Sequence, residues 1–412
     1  MRPLLDAVPA IALVALLATA YRHPSGRTEA SIGLAAAAVT LATGLLSLEQ
    51  LEAELRHLGP VIAFLCTILV VAEVCSRAGV FTAAAHHVVT LSRGDSVKLF
   101  TGVFVLAAAV TAVLSLDATV VLVAPVIVTA AVTLGLPYRP GASACLRMAN
   151  SASLLLPVSN LTNLLAMPYL DLTFGGFALR MAPVLAVVLV VEYVVLRVLH
   201  RDDLRVRPTR TLPDDPPGHA RTPVVAVLVM LTGFAVLSPF GIDPFWVSGA
   251  TAAFLVVWGV RDGLLDVRRA VHAAHPGFAV FVLCLGVVVA ALSTGPLGDV
   301  VAEALPTSTS YAGLLTIALL ATLLANLLTN LSATLLLVPL LAPLGVPGIL
   351  AALIGLNIGS GLTYTGSLAN LLWRRSLVRH DVHPSLAEFH RVSLVATPLS
   401  LVAAVTTLWL VV

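Results

Sequence analysis

The sequence predicts an all-α polytopic membrane protein made of two inverted-topology repeats, each with five transmembrane helices, one re-entrant helical hairpin and a helix broken at the membrane centre. Three observations carry this prediction. The first is composition: of 412 residues, 59% are hydrophobic and 11% charged, with a mean hydropathy of +1.02. That leaves too little polar surface for a soluble globule of this length. The second is the stretch Ala149 to Leu165, ANSASLLLPVSNLTNLL, apolar enough for a bilayer yet interrupted by Pro157, Ser159, Asn160, Thr162 and Asn163. A helix broken at that depth leaves backbone groups unpaired, which is tolerated only where the break is buried in protein or lines a polar cavity.

The third observation is repetition. Asn357 to Leu372 reads NIGSGLTYTGSLANLL; Asn150 matches Asn357, Ser153 matches Ser360, and Asn163-Leu164-Leu165 matches Asn370-Leu371-Leu372, all offset by 207 residues. Upstream, SLDATVVLVAP (Ser115 to Pro125) answers TNLSATLLLVP (Thr329 to Pro339), with Ala118-Thr119 and Ala333-Thr334 offset by 215. Half of the chain is 206 residues, so it reads as two copies of one unit. Paired interruptions at corresponding places in two halves are the best sequence pointer to a transporter's binding site.

In chain order, apolar windows of about 20 residues fall near 5–21, 30–47, 59–77, 143–170, 177–199, 223–240, 245–261, 276–294, 348–371 and 391–411, five per half. The run Pro3 to Tyr21 reads as an uncleaved first helix, because Arg22, His23 and Arg27 and further spans follow it. Two longer stretches, 97–135 and 311–343, break in the middle at SLDAT and TNLSAT. We read them as re-entrant hairpins, which keeps the crossings per half odd and so inverts one repeat relative to the other. Segments 79–92 and 297–308 read as interfacial helices leading into the hairpins. The division expected is a first repeat over 1–200 (hairpin 97–135, broken helix 143–170), a linker over 201–222, and a second repeat over 223–412 (hairpin 311–343, broken helix 348–371).

Charge sets the orientation, since cytoplasmic loops carry the excess of Lys and Arg. The linker holds Arg201, Arg205, Arg207, Arg210 and Arg221, with four prolines between Pro208 and Pro217. Placing it in the cytoplasm also puts Arg22, Arg27, Arg93, Lys98, Arg139, Arg268, Arg269, Arg374, Arg375 and Arg379 inside, and of 23 basic residues only Arg2, Arg56 and Arg180 face out. The expected location is the plasma (inner) membrane, multi-pass, with both termini extracytoplasmic. A net charge of +2 with dispersed arginines points to no nucleic-acid partner, and the oligomeric state is not readable from the sequence. Cys66, Cys75, Cys145 and Cys284 stand alone without metal or disulfide spacing and read as bland buried thiols.

Related by an in-plane pseudo-twofold, the two hairpin tips and two breaks would converge on one site. The first half brings Ser115, Asp117, Thr119, Asn150, Ser153, Ser159, Asn160, Thr162 and Asn163. The second brings Asn326, Thr329, Asn330, Ser332, Thr334, Asn357, Ser360, Thr363, Thr365, Gly366, Ser367 and Asn370. Half-helix N-termini aimed at the same place suit an anionic or hydroxyl-rich substrate. The bland alternative is that these Ser, Thr and Asn side chains only glue helices together, as they commonly do in membranes. Asp117 is the sole acid in the four motifs, and an intramembrane carboxylate is a functional candidate, here for proton coupling. Glu73 and Glu192 read as structural, lying near cytoplasmic span ends where snorkelling serves. Motifs of zinc proteases, serine hydrolases and P-loop nucleotide binding do not occur, and no His/Asp/Glu cluster has metal spacing. The chain reads as a non-enzyme without cofactor, drawing on a proton or sodium gradient.

The stretches LSLDATVVLVAPVIV, ANSASLLLPVSNLTNLL, NLLTNLSATLLLVP and TGSLANLLWRR resemble the arsenical pump membrane permeases, the ArsB-type arsenite exporters of the ion transporter superfamily that also holds citrate and divalent-anion permeases. The resemblance spans nearly the whole chain. It implies an inverted-repeat permease exporting arsenite or antimonite by proton exchange, sometimes docked to a cytosolic ATPase subunit. Carried over, Asp117 is the acid of the first hairpin, Ser159, Asn160 and Asn163 the polar break, and Gly366-Ser367 the Gly-Ser of the second break. The chain departs from the pattern at Asn150, where an acid is common, and over Leu362 to Thr365, where Lys-x-Thr-Pro is common. Three readings therefore stand: arsenite/proton antiport, a citrate or other anion permease coupled to sodium or protons, and an uncoupled channel or assembly subunit.

Overall fold

The computed structural model describes residues 2–22, 26–210 and 220–412. Among them every element is helical, and nine helices are long and apolar enough to cross a membrane. The expected fold class is what the structure has. Much of the linker expected over 201–222, residues 211–219, lies outside the described residues.

The first half runs α1 (Arg2–Arg22), α2 (Gly26–Ala42), α3 (Leu48–Arg77), α4 (Val80–Ser92), α5 (Ser96–Val113), α6 (Leu116–Ala118), a π turn Thr119–Val123, α7 (Ala124–Thr133), α8 (Arg139–Ser151), α9 (Leu161–Ala166) and α10 (Phe174–Leu199). The second half runs α11 (Arg221–Leu237), α12 (Pro244–Arg261), α13 (Val267–Ala273), α14 (Pro276–Ser293), α15 (Pro296–Ala304), α16 (Tyr311–Leu328), α17 (Asn330–Leu341), α18 (Gly345–Asn357), α19 (Leu368–Val378) and α20 (Leu386–Val411). The order recurs: a helix pair, a long span, a short helix, a hairpin, a broken helix and a final long span. The short helices α4 and α15 stand where interfacial helices are expected.

The ends are built by local chemistry. Ser47 and Gln50 form a reciprocal cap on α3, and Asp95 accepts from the Val97 and Lys98 amides to start α5. Thr173 and Ser385 cap the two final spans α10 and α20 in the same way. At the second hairpin the turn is one residue, Thr329, held at φ +72, a left-handed backbone that a β-branched residue rarely adopts.

The helices pack in two groups. α2 lies along α14, α3 along α12, and α1 against both α2 and α14. Separately, α5 packs on α8, α16 on α18, and α10 on α20, so the hairpins and broken helices form one body around the final spans. The groups meet where α17 touches α14 and where α9 touches α3, and the large cavity lies at this seam. Close approach inside the second body relies on missing side chains. A Cβ on Gly355 would stand 2.2 Å from the Ala318 carbonyl oxygen, and one on Gly359 would stand 2.0 Å from Thr322 Oγ1.

Candidate functional site

Both broken helices stop for the same reason. At Leu156 and at Thr363 the backbone turns extended, and each helix restarts at a polar cap: the Asn160 side chain accepts from the Thr162 amide, and Ser367 Oγ accepts from the Ala369 amide. These caps are themselves 207 residues apart. Ser115 caps α6 in the first hairpin, accepting from the Ala118 amide. The N-termini of α6, α9, α17 and α19 thereby converge on one cavity of about 1110 Å³, carrying their positive partial charge to its wall.

The polar wall consists of Ser115, Asp117, Ser159, Asn160, Thr162, Asn330 and Ser367, with Leu116, Val158, Leu161, Leu331 and Leu368 between them. All four interruptions are represented. Facing them are Phe64, Ile68 and Ala72 of α3 and Phe278 of α14. The open end carries exposed Arg27, Arg268, Arg375 and Arg379, together with Glu29, Glu73, His272 and His275. Half-buried Asp117 projects into the cavity, and among the described residues no side chain or amide bonds its carboxylate. A mid-membrane carboxylate left open to an aqueous cavity is available to a proton, a cation or a substrate hydroxyl. At the equivalent hairpin position the second half has no acid: counted from the helix caps it has Leu331, on the cavity wall, and counted from the Ala-Thr pair it has Ser332, which bonds weakly to Thr329 Oγ1 at 3.4 Å.

Behind the wall the remaining polar groups form an amide lattice that obeys the repeat. Asn150 Nδ2 donates to Asn370 Oδ1 and Asn357 Nδ2 donates to Asn163 Oδ1, both at 2.8 Å. Asn163 Nδ2 donates to the Ser153 and Leu156 carbonyls, and Asn370 Nδ2 to the corresponding Ser360 and Thr363 carbonyls. Ser153 Oγ and Ser360 Oγ each donate to the carbonyl three residues back, at 2.8 Å. Asn357 Oδ1 further accepts from Asn160 Nδ2 and Thr162 Oγ1. These bonds close the backbone groups that the breaks leave open, as hydrocarbon requires.

The hairpins are stitched to the breaks as well. Ser159 Oγ donates to the Ala112 carbonyl in the first half; in the second, the Asn330 amide donates to the Gly366 carbonyl. Asn326 Nδ2 donates to the Thr322 and Gly359 carbonyls, while its oxygen accepts from the Thr363 amide and hydroxyl. Gly366 has no room for a side chain there, since its Cβ would stand 2.4 Å from Asn326 Oδ1. Thr119 bonds Thr111 at 2.7 Å, Thr334 bonds its own helix at the Asn330 carbonyl, and Thr365 is exposed beside Thr363. Of the expected site residues, then, Ser115, Asp117, Ser159, Asn160, Thr162, Asn330 and Ser367 reach the cavity. Thr119, Asn150, Ser153, Asn163, Asn326, Thr329, Thr334, Asn357, Thr365, Gly366 and Asn370 do not line it.

Two expectations are corrected. Glu192 does not snorkel to a span end: it is fully buried and paired with Arg147, itself 1% exposed, with Nε donating to Oε2 at 3.0 Å. The charge count that leaves only Arg2, Arg56 and Arg180 facing out takes no account of this arginine, which faces neither side because it is locked in the interior. Sequence carries one signal for the pair, a charge in each of two membrane segments 45 residues apart, with nothing to join them.

A two-body helical protein with broken helices around a polar cavity is, as a class, a multi-span membrane transporter. Residues 13–349 match the family model described as citrate transporter, so the chain belongs to that family. It is also similar to arsenical pump membrane proteins. One from Escherichia coli is 25% identical over 384 residues, covering 88% of each chain, and that of Yersinia enterocolitica is 25% identical over 388 residues, covering 89% of this chain and 90% of the relative. The protein from Escherichia coli strain K12 is 26% identical over 350 residues, covering 80% of this chain and 81% of the relative. Among solved structures, the YdaH transporter of Alcanivorax borkumensis, described as having an unusual topology, superposes with a TM-score of 0.59 at 17% identity over 89% of both chains. That likeness shows the fold.

Proposed function

We propose that the chain exports arsenite or antimonite across the plasma membrane by proton antiport, with the cavity wall as the substrate site and Asp117 as the coupling acid. The observation that carries this reading is the open carboxylate of Asp117 in a wall otherwise made of hydroxyls, amides and helix N-termini. A small neutral oxyacid asks only for hydrogen bonding, which Ser115, Ser159, Asn160, Thr162 and Ser367 supply. An ionised Asp117 is a strong acceptor for a substrate hydroxyl; protonation turns one of its oxygens into a donor and weakens its hold on that hydroxyl. Substrate and proton then compete for one group, which is the elementary requirement of exchange. The likeness to arsenical pump membrane proteins supports the same substrate.

The test is accumulation of arsenite in everted membrane vesicles from an exporter-deleted, arsenite-sensitive host, alongside the resistance of intact cells. Wild type is expected to accumulate arsenite when the lumen is acid and to stop when the gradient is collapsed; Asp117→Asn is expected to lose both accumulation and resistance at equal expression. A well-inserted wild type that neither accumulates arsenite nor protects cells overturns the reading. A second reading, a citrate or other dicarboxylate permease, is favoured by the four exposed arginines at the cavity mouth, which concentrate anions, and by the family's description. Labelled citrate uptake stimulated by sodium or acid would select it.

A further inference from the structure

Outside the cavity, one cluster of charge remains that the transport reading does not use. Arg147 sits one turn before the end of α8, with Nε and Nη2 on the two oxygens of Glu192 from α10. Glu192 Oε1 also accepts from Ser151 Oγ of α8 at 3.0 Å and from Ser400 Oγ of α20 at 3.1 Å. Arg147 Nη1 donates to Thr397 Oγ1 of α20 at 2.9 Å. The same Nη1 lies against the other broken helix: a Cβ on Gly361 would stand 2.8 Å from it and 3.7 Å from Asn150 Nδ2. One guanidinium thus touches α8, α10, α20 and the second break.

The repeat shows that this is an addition to the architecture. At the position 207 residues after Arg147 the second half has buried Ile354, and 207 before Gly361 the first half has buried Leu154. The fold therefore closes with two aliphatic residues on one side of its pseudo-twofold. On the other it uses a buried cation, its acid and a glycine that makes room for it. A buried ion pair contributes little net stability against well-packed apolar residues of similar volume, so stability alone does not account for the pair. What a bidentate, planar pair does supply is fixed geometry.

We propose that Arg147 is a positioning residue for substrate: paired with Glu192, it sets the spacing between the two breaks and so the Asn150–Asn370 and Asn160–Asn357 bonds that hold the cavity wall in register. This rests on the arsenite reading for its transport arm only. Replacing the pair as Arg147→Met/Glu192→Met removes both charges together and leaves no unpaired ion. It is expected to keep the melting temperature of the purified protein close to wild type, while the arsenite KM rises roughly tenfold with little change in maximal rate. Gly361→Ala, which crowds the guanidinium while leaving the pair intact, is expected to shift KM in the same direction. A merely structural pair would leave KM at the wild-type value in both, and that result overturns the proposal.

A second arm needs no substrate. On a background without the four native cysteines, Leu161→Cys, at the cavity wall beside Asn160, is labelled with a soluble maleimide. Its rate is expected to change severalfold when Arg147→Met/Glu192→Met is added. Thr397→Val, which removes one hydrogen bond and no charge, serves if the double variant does not fold, and is expected to shift the labelling rate less but measurably. Unchanged labelling in a folded variant overturns positioning whatever the substrate is. Failure of wild type to transport arsenite, with labelling altered as expected, would sink the arsenite reading and leave positioning standing.

Discussion

Every polar atom of the Asn357 amide is engaged: its oxygen takes Asn160 Nδ2 and Thr162 Oγ1, and its nitrogen gives to Asn163 Oδ1. Interhelical bonds in membranes average only about 0.6 kcal/mol each, but a buried group left unpaired costs about 1–3 kcal/mol. Asn357→Leu removes three bonds at once, leaving Asn160 Nδ2 only its 3.3 Å bond to Ser153 Oγ and Thr162 Oγ1 only its 3.5 Å bond to Asn163 Oδ1, and is expected to lower unfolding free energy in mixed micelles by roughly 1–3 kcal/mol. Thr334→Val removes one bond to its own helix and is expected to cost well under half of that; equal losses would show that the lattice is not what holds the breaks. At this scale the sequence discloses partners in type but not in pairing. Asn150, Asn163, Asn357 and Asn370 stand out as duplicated amides in apolar surroundings. Which amide meets which depends on the crossing of the two broken helices, and local pattern does not encode that. The Arg147–Glu192 pair is hidden more deeply, because a charge near a span end has a cheaper explanation in snorkelling until its burial is known.

Elements were the most legible level, since Pro157 and the Gly/Ser/Thr run from Gly359 to Ser367 end helices by local chemistry, and their apolar flanks fix the depth. Even here one device escapes a one-dimensional reading. Glycines inside apolar helices look alike in sequence, yet Gly355 presses α18 onto the α16 backbone while Gly175 on α10 faces open space. Gly355→Ala is expected to destabilise by about 1–3 kcal/mol, because neither the Ala318 carbonyl nor the Ala321 methyl can turn aside. Gly175→Ala is expected to stabilise by about 0.5–1 kcal/mol through helix propensity. Thermal unfolding of the two purified variants separates the cases, and a shift of the same sign in both would mean that α16 and α18 are not packed as described.

For the whole molecule, the exposed rim of the cavity gathers Arg27, Arg268, Arg375 and Arg379. Basic residues mark the cytoplasmic side of a membrane protein, so this rim is expected to face the cytoplasm, which thiol labelling can test. Leu372, on the cavity wall one turn after Leu368, tests both orientation and access. As Leu372→Cys on a background without the native thiols, it is expected to react with a membrane-impermeant thiol reagent far faster in everted vesicles than in intact cells. Arsenite at saturating concentration is expected to slow that reaction, because substrate occupies the wall above the probe and favours conformations that close over it. Faster labelling from outside intact cells would invert the assignment of sides and with it the direction of the exchange. Equal labelling from both sides would describe a continuous pore, in which Asp117 could hold a proton but could not exchange it for substrate.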